Sequence, residues 1–194
     1  GGIDVKIDEW GVDAAHSGSQ KCFSISPGLA PVTFNDAALN KVMGRKAKVR
    51  SWYFDLPAIM GYWLEGEGGG RKYHHTAPVS SIYGLNASLR LMENEGREAV
   101  EDRHWTNGRA LKAGLEELGF SYIPKPGESL PMLHAVYPPA GSDPKVIKKR
   151  MRDEHQTGIG PGLKDFSETA VRIGLMGYSS QQERVGTLLK NLAK

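Results

Sequence analysis

The sequence predicts an α/β protein that passes into an α+β unit in its second half. Two observations carry this. In the first half, short stretches that begin apolar, such as "VDAAHSGSQK" and "LAPVTF", turn into small polar loops and alternate with helical segments. In the second half, "MLHAVY" and "TAVRIGLMG" read as strands set between amphipathic helices.

Taken in order, "VDAAHSGSQK" has the pattern of a short buried strand running into a functional loop, and "LAPVTF" (29–34) is a second strand whose start Pro31 makes irregular. Asn35 or Asp36 then caps a helix to about Arg45, and "YFDLPAIMGYW" is partly helical ahead of the glycine-rich "EGEGGGRK" at 65–72. Ile82, Leu85, Leu89 and Met92 recur at helical spacing until Glu93 to Gly96 interrupts. A second helix from about Arg97 carries Val100, Leu111, Leu115 and Leu118 on one stripe, with Gly119 in the stop position. "YIPKPGESLP" is a loop, and 132–137 is a strand. Asp143 and Pro144 start another helix, one as cap and the other where a missing N–H costs nothing. In "TAVRIGLMG", Thr169, Val171 and Ile173 point one way, Ala170 and Arg172 the other. Ser180 with Glu183 makes a capping box for a last helix striped by Val185, Leu188, Leu189 and Leu192.

Composition narrows the functions. A chain of 194 residues, 39% hydrophobic and 24% charged, can bury a real core, and its net charge of +3 demands no nucleic-acid partner. The basic cluster Lys145, Lys148, Lys149, Arg150 and Arg152 reads as a solvated helix face. One cysteine excludes an internal disulfide, gives no metal-ligand spacing, and fits a reducing compartment such as the cytoplasm. No apolar run reaches the roughly 18 residues a membrane span needs.

Three features could carry chemistry. "HSGSQKC" at 16–22 places Lys21 at the end of a tight run of hydroxyls, glycine and an amide that could hold a phosphate or a ring. Covalent work by such a lysine needs a desolvated amine, nearby positive charge, or capture as an imine; the rival is a solvated lysine at a strand end. Arg172, set apart from the packed face, can offer a planar fork to a carboxylate, against the rival of a structural ion pair. In "RKYHHTAP" (71–78) the adjacent histidines should point in different directions with no acid or cysteine to complete a metal set, while the Tyr73 and Thr76 hydroxyls could bind a phosphate. Cys22 reads as a packed bystander.

"SGSQK", "SPGLAPVTF", "YHHTAPVSSIYGLNASL", "EGREAVEDRH", "GLEELGF" and "VRIGLMG" together, in this order along the whole chain, closely resemble the class V aminotransferases of pyridoxal-phosphate fold type I. The nearest subgroup looks like the alanine:glyoxylate, serine:pyruvate and serine:glyoxylate aminotransferases. The resemblance implies that Lys21 forms the internal aldimine, a Schiff base, with pyridoxal 5′-phosphate, that Gln20 contacts the cofactor phosphate, and that Ser19 lies beside it. It implies that Tyr73 and Thr76 reach across a homodimer interface to the phosphate held by the partner subunit. Arg172 would grip the substrate carboxylate.

By the same resemblance, residues 1–95 finish the large, mostly parallel-sheet cofactor domain and residues 96–194 form the α+β small domain. The aspartate that pairs with the pyridine nitrogen, the stacking aromatic and a glycine-rich phosphate turn belong to an N-terminal half, carried on the same or a separate chain, without which this polypeptide is expected to be inactive. The expected reaction moves an amino group from alanine or serine to glyoxylate or pyruvate. The alternatives are a ureidoglycine:glyoxylate aminotransferase or another fold type I enzyme, and a non-catalytic fragment or split subunit that completes an N-terminal partner. Metal, nucleic acid and membrane are not expected as partners; a peroxisomal or mitochondrial location is the alternative to the cytoplasm in a eukaryote.

Overall fold

In the computed structural model, which describes residues 1–64 and 72–194, the hydrophobic core lies entirely in the second half of the chain. Leu111 and Leu115 from one helix, Val136, Val171 and Ile173 from the sheet, Met151 and Val185 from two further helices meet there, all buried. Burial of these side chains, at about 25 cal/mol per Å2 of apolar surface, is the main source of stability.

That core is a four-stranded antiparallel sheet covered by helices. The strands are β3 (Ser121–Tyr122), β4 (Leu133–Tyr137), β5 (Gly160–Pro161) and β6 (Val171–Gly174), in the order β3-β4-β6-β5. The helices are α4 (Arg97–Glu117), α5 (Pro144–His155) and α6 (Gln182–Leu192). Asp143 caps α5 by accepting from Lys145 N–H at 2.7 Å, ahead of Pro144, as the sequence predicts.

The first half holds the antiparallel pair β1 (Ala14–His16) and β2 (Val32–Phe34), then α1 (Asp36–Met43), α2 (Leu56–Trp63) and the long α3 (Val79–Glu95). Asn35 is the α1 cap, accepting from Ala38 N–H at 2.9 Å. Gly96 separates α3 from α4, which the sequence predicts as two helices. The whole is a mixed α/β fold, and among the described residues every strand pair is antiparallel.

Several expectations are corrected. β1 is not buried, because only β2 flanks it. The helical spacing of Ile82, Leu85, Leu89 and Met92 is borne out by α3, whose buried residue is Ser88. Ser180 does not cap α6: it is fully buried and receives a hydrogen bond from Asn107 Nδ2 at 3.3 Å, and Gln181 stands at the cap position without a side-chain bond to the helix backbone. Thr169 and Ala170 precede β6, and Ala170 is fully buried rather than beside Arg172. The glycine-rich stretch at 65–71 lies outside the described residues. No helix among the described residues is long and apolar enough to cross a membrane.

Candidate active site

Lys21 sits on a loop between β1 and β2, and Ser19 is what gives that loop its shape. The Ser19 side chain is fully buried; its hydroxyl donates to the Ser26 carbonyl at 2.8 Å and accepts from Leu29 N–H at 3.2 Å. Its backbone closes the same loop, with Ser19 N–H on the Leu29 carbonyl at 3.0 Å and Ile25 N–H on the Ser19 carbonyl at 3.3 Å. A hydroxyl committed to both roles pins the two arms of the loop together. The resemblance expects Ser19 beside a cofactor; in this structure its hydroxyl turns inward and holds the loop.

The next two side chains are left free by this arrangement. Gln20 and Lys21 are exposed, and among the described residues neither makes a side-chain hydrogen bond or ion pair. A Cβ on Gly18 would lie 2.7 Å from Gln20 Oε1, so the bare backbone there leaves room for the Gln20 amide. Cys22 turns inward and is buried.

A second group stands at the start of α3. The Tyr73 hydroxyl is 2.7 Å from Thr76 Oγ1, and Tyr73 is 71% exposed, so the two hydroxyls form one outward-facing pair. His74 anchors it: the ring is buried, stacked on Trp52 at 4.0 Å and 6°, with Nε2 donating to the Trp52 carbonyl at 3.0 Å. A carbonyl can only accept, so the Nδ1 of His74 is an acceptor and takes the Nδ1–H of His75 at 2.8 Å. The two histidines therefore meet instead of diverging, which corrects the sequence reading, and they lock the turn that presents Tyr73.

Arg172 occupies the middle of β6, opposite Ala135 on β4 and Gly160 on β5. Both cross-strand neighbours are small, and the alternation of the strand places Val171 and Ile173 in the core and Arg172 on the other face. Arg172 Nε donates to the Pro161 carbonyl at 2.8 Å. That single bond orients the guanidinium and leaves its two terminal nitrogens without a partner among the described residues.

The structure brings Ser19, Gln20 and Lys21 together on one loop, and Tyr73 and Thr76 on one turn, and it makes no direct hydrogen bond between those groups and Arg172. An amine, an amide, a pair of hydroxyls and a free guanidinium make a donor set suited to a phosphate-bearing aldehyde and a carboxylate.

The profile described as Aminotransferase class-V matches residues 1–154. The chain belongs to that family. It is 36% identical over 193 residues to an alanine–glyoxylate aminotransferase of Drosophila melanogaster, covering 99% of this chain and 49% of that protein. It is 31% identical over 210 residues to an (S)-ureidoglycine–glyoxylate transaminase of Bacillus subtilis, covering 99% of this chain and 50% of that protein. The crystal structure of an alanine–glyoxylate aminotransferase from Nostoc sp. superposes with a TM-score of 0.92 at 38% identity, over 100% of this chain and 50% of that one. The chain thus spans about half the length of the relatives it matches. Pyridoxal phosphate is the cofactor of the class-V aminotransferases, and the free groups above fit it.

Sequence reasoning missed a set of residues behind the Lys21 loop. Arg103 grips Glu95 through Nε at 2.5 Å and Nη2 at 2.9 Å, and its Nη1 donates to the Gly177 and Ser180 carbonyls at 2.8 and 2.9 Å. The Arg103 guanidinium holds the Glu95 carboxyl below the usual carboxylate range, against the opposing effect of burial. His104, Asn107 and Gly108 are buried on the same α4 stripe as Val100 and Leu111. The signal was their helical spacing from those apolar residues, hidden because two of the three are polar.

Proposed function

We propose that this chain is the lysine-bearing part of a pyridoxal-phosphate aminotransferase that moves an amino group from a small amino acid, alanine or serine, to glyoxylate or pyruvate. The observation that carries the reading is the Lys21 loop: Ser19 locks its base while the lysine amine and the Gln20 amide stand free at its tip. When bound, the cofactor acts as an electron sink for the bonds at the substrate α-carbon.

In this reading Lys21 Nζ would hold the cofactor covalently. Once free, the Lys21 amine would be the base that takes up and returns the proton at the substrate α-carbon. Gln20 steadies the phosphate, and the Tyr73 and Thr76 hydroxyls reach the phosphate of a second subunit in a homodimer. Arg172, turned by Pro161 so that its terminal nitrogens face outward, clamps the substrate carboxylate. Residues 1–95 serve the cofactor domain and 96–194 the small domain. The remaining groups around the cofactor ring would come from the part of the relatives that this chain does not span. Its free, buried Cys22 suits the cytoplasm.

The test joins or mixes the chain with that other half, adds pyridoxal phosphate and follows the yellow colour. Borohydride should then fix the cofactor onto Lys21, and Lys21→Ala should abolish both colour and label. Label on a different lysine, or none, sinks the reading and leaves a non-catalytic subunit. A panel of donors and acceptors separates alanine and serine from ureidoglycine, which stays open because both kinds of relative match over the same residues.

A further inference from the structure

The strand that carries Arg172 leads straight back to the loop that carries Lys21. β6 ends at Gly174, and three residues later the chain turns at Gly177, where φ is +53°. A Cβ on Gly177 would collide with the Cys22 carbonyl and Ser24 Oγ, so only glycine lets this turn press against the Lys21 loop. Tyr178 N–H then donates to Ser24 Oγ at 2.8 Å.

On its other side the turn is held by α4. Gly177 N–H donates to Nε2 of His104 at 2.9 Å, and Arg103 takes the Gly177 carbonyl at 2.8 Å. His104 is fully buried, and its Nδ1 lies 2.6 Å from the Val100 carbonyl. A carbonyl accepts only, so Nδ1 carries the hydrogen and Nε2 the lone pair, and the ring is the neutral tautomer with both nitrogens engaged.

We propose that His104 is a positioning residue: by accepting the Gly177 N–H it seats this turn against Cys22 and Ser24, and so sets the place of the Lys21 amine relative to the Arg172 guanidinium. A substrate carboxylate and its α-carbon are separated by one bond, so the two groups that address them tolerate little relative movement. The catalytic consequence rests on the aminotransferase reading; the geometry rests on the hydrogen bonds alone.

The test uses the full chain and two substitutions at one position. His104→Phe keeps a ring of similar size and removes both nitrogens. His104→Gln places an amide oxygen near the former Nε2 and so keeps an acceptor for Gly177. Hydrogen exchange read by mass spectrometry, without cofactor, should speed up about tenfold in His104→Phe at residues 22–24 and 177–178, with β4 unchanged, and Gln should restore most of the protection. Ser24→Ala, which leaves the core intact, should loosen the same two segments. In the enzyme assembled with its other half, His104→Phe should lower kcat/KM for the amino donor while borohydride still labels Lys21. Unchanged exchange at 22–24, a uniform rise over the whole second half, or a Gln variant no better than Phe overturns the proposal. Absence of label in the unsubstituted enzyme overturns the catalytic role alone, because the exchange comparison does not depend on it.

Discussion

Arg172 Nε donates to the Pro161 carbonyl at 2.8 Å across the β5–β6 edge, and this bond aims the guanidinium. With Nε occupied, the two terminal nitrogens form the fork. Arg172→Ala should therefore raise KM for the amino donor by about tenfold to a hundredfold, the scale of losing hydrogen bonds to a charged group. Cofactor affinity should stay close to that of the unsubstituted enzyme. Steady-state kinetics beside a cofactor titration checks this, and equal losses in both would make the arginine structural. Arg172→Lys should recover little, since an ammonium cannot bond Pro161 and a carboxylate in the same plane.

Ser19→Ala removes a buried hydroxyl from between the Ser26 carbonyl and Leu29 N–H. Both partners lose their bond inside a closed loop, which costs about 1–3 kcal/mol. Chemical denaturation measures the loss, and an unchanged midpoint would show that the loop is held by its backbone bonds alone.

Tyr73→Phe keeps the ring packed and removes the hydroxyl that pairs with Thr76 at 2.7 Å. In the enzyme assembled with its other half it should weaken pyridoxal phosphate by roughly fivefold, the worth of about one hydrogen bond, and leave unphosphorylated pyridoxal unaffected. An equal effect on both ligands would place Tyr73 away from the phosphate.

Stability should fall on mild acidification. Burial pulls both His104 and His134 below the ordinary histidine value, only partly offset by the Val100 and Pro131 carbonyls they face. Arg103 further disfavours the His104 cation, which Glu95 favours, and Lys112 disfavours that of His134. His134 is held neutral much as His104 is: Nε2 donates to Pro131 at 3.1 Å and Nδ1 accepts from the Tyr122 hydroxyl at 2.5 Å. Because the folded values are depressed, the unfolded chain binds protons first. The stabilisation is fully present above about pH 6.5 and is lost progressively as pH falls below it. Urea midpoints measured between neutral and mildly acidic pH should decline, and His134→Gln should flatten part of the slope. A midpoint that rises on acidification would contradict the burial of these rings.

The second half was legible because its elements are local. The cap at Asp143, the α4 stripe of Val100, Leu111 and Leu115, and the alternation of Val171, Arg172 and Ile173 each follow from spacing that one helix or strand satisfies by itself. The stripe on α3 was legible as a helix, but spacing alone does not say that Ile82 and Leu89 stay exposed in this chain.

The sequence by itself determined the order of α1 to α6 and of β1, β2, β4 and β6 and, through family resemblance, the roles expected of Lys21, Gln20, Tyr73, Thr76 and Arg172; β3 and β5, of two residues each, were too short to read. Tertiary structure alone decided how those residues are held. It turned Ser19 inward, paired His74 with His75, aimed Arg172 through Pro161, and joined the two halves through Tyr178 and Ser24, on a turn that His104 holds. Each of these is a hydrogen bond whose partner depends on how the chain returns upon itself. The identity of a polar residue says what it can donate or accept, and only the fold says to whom.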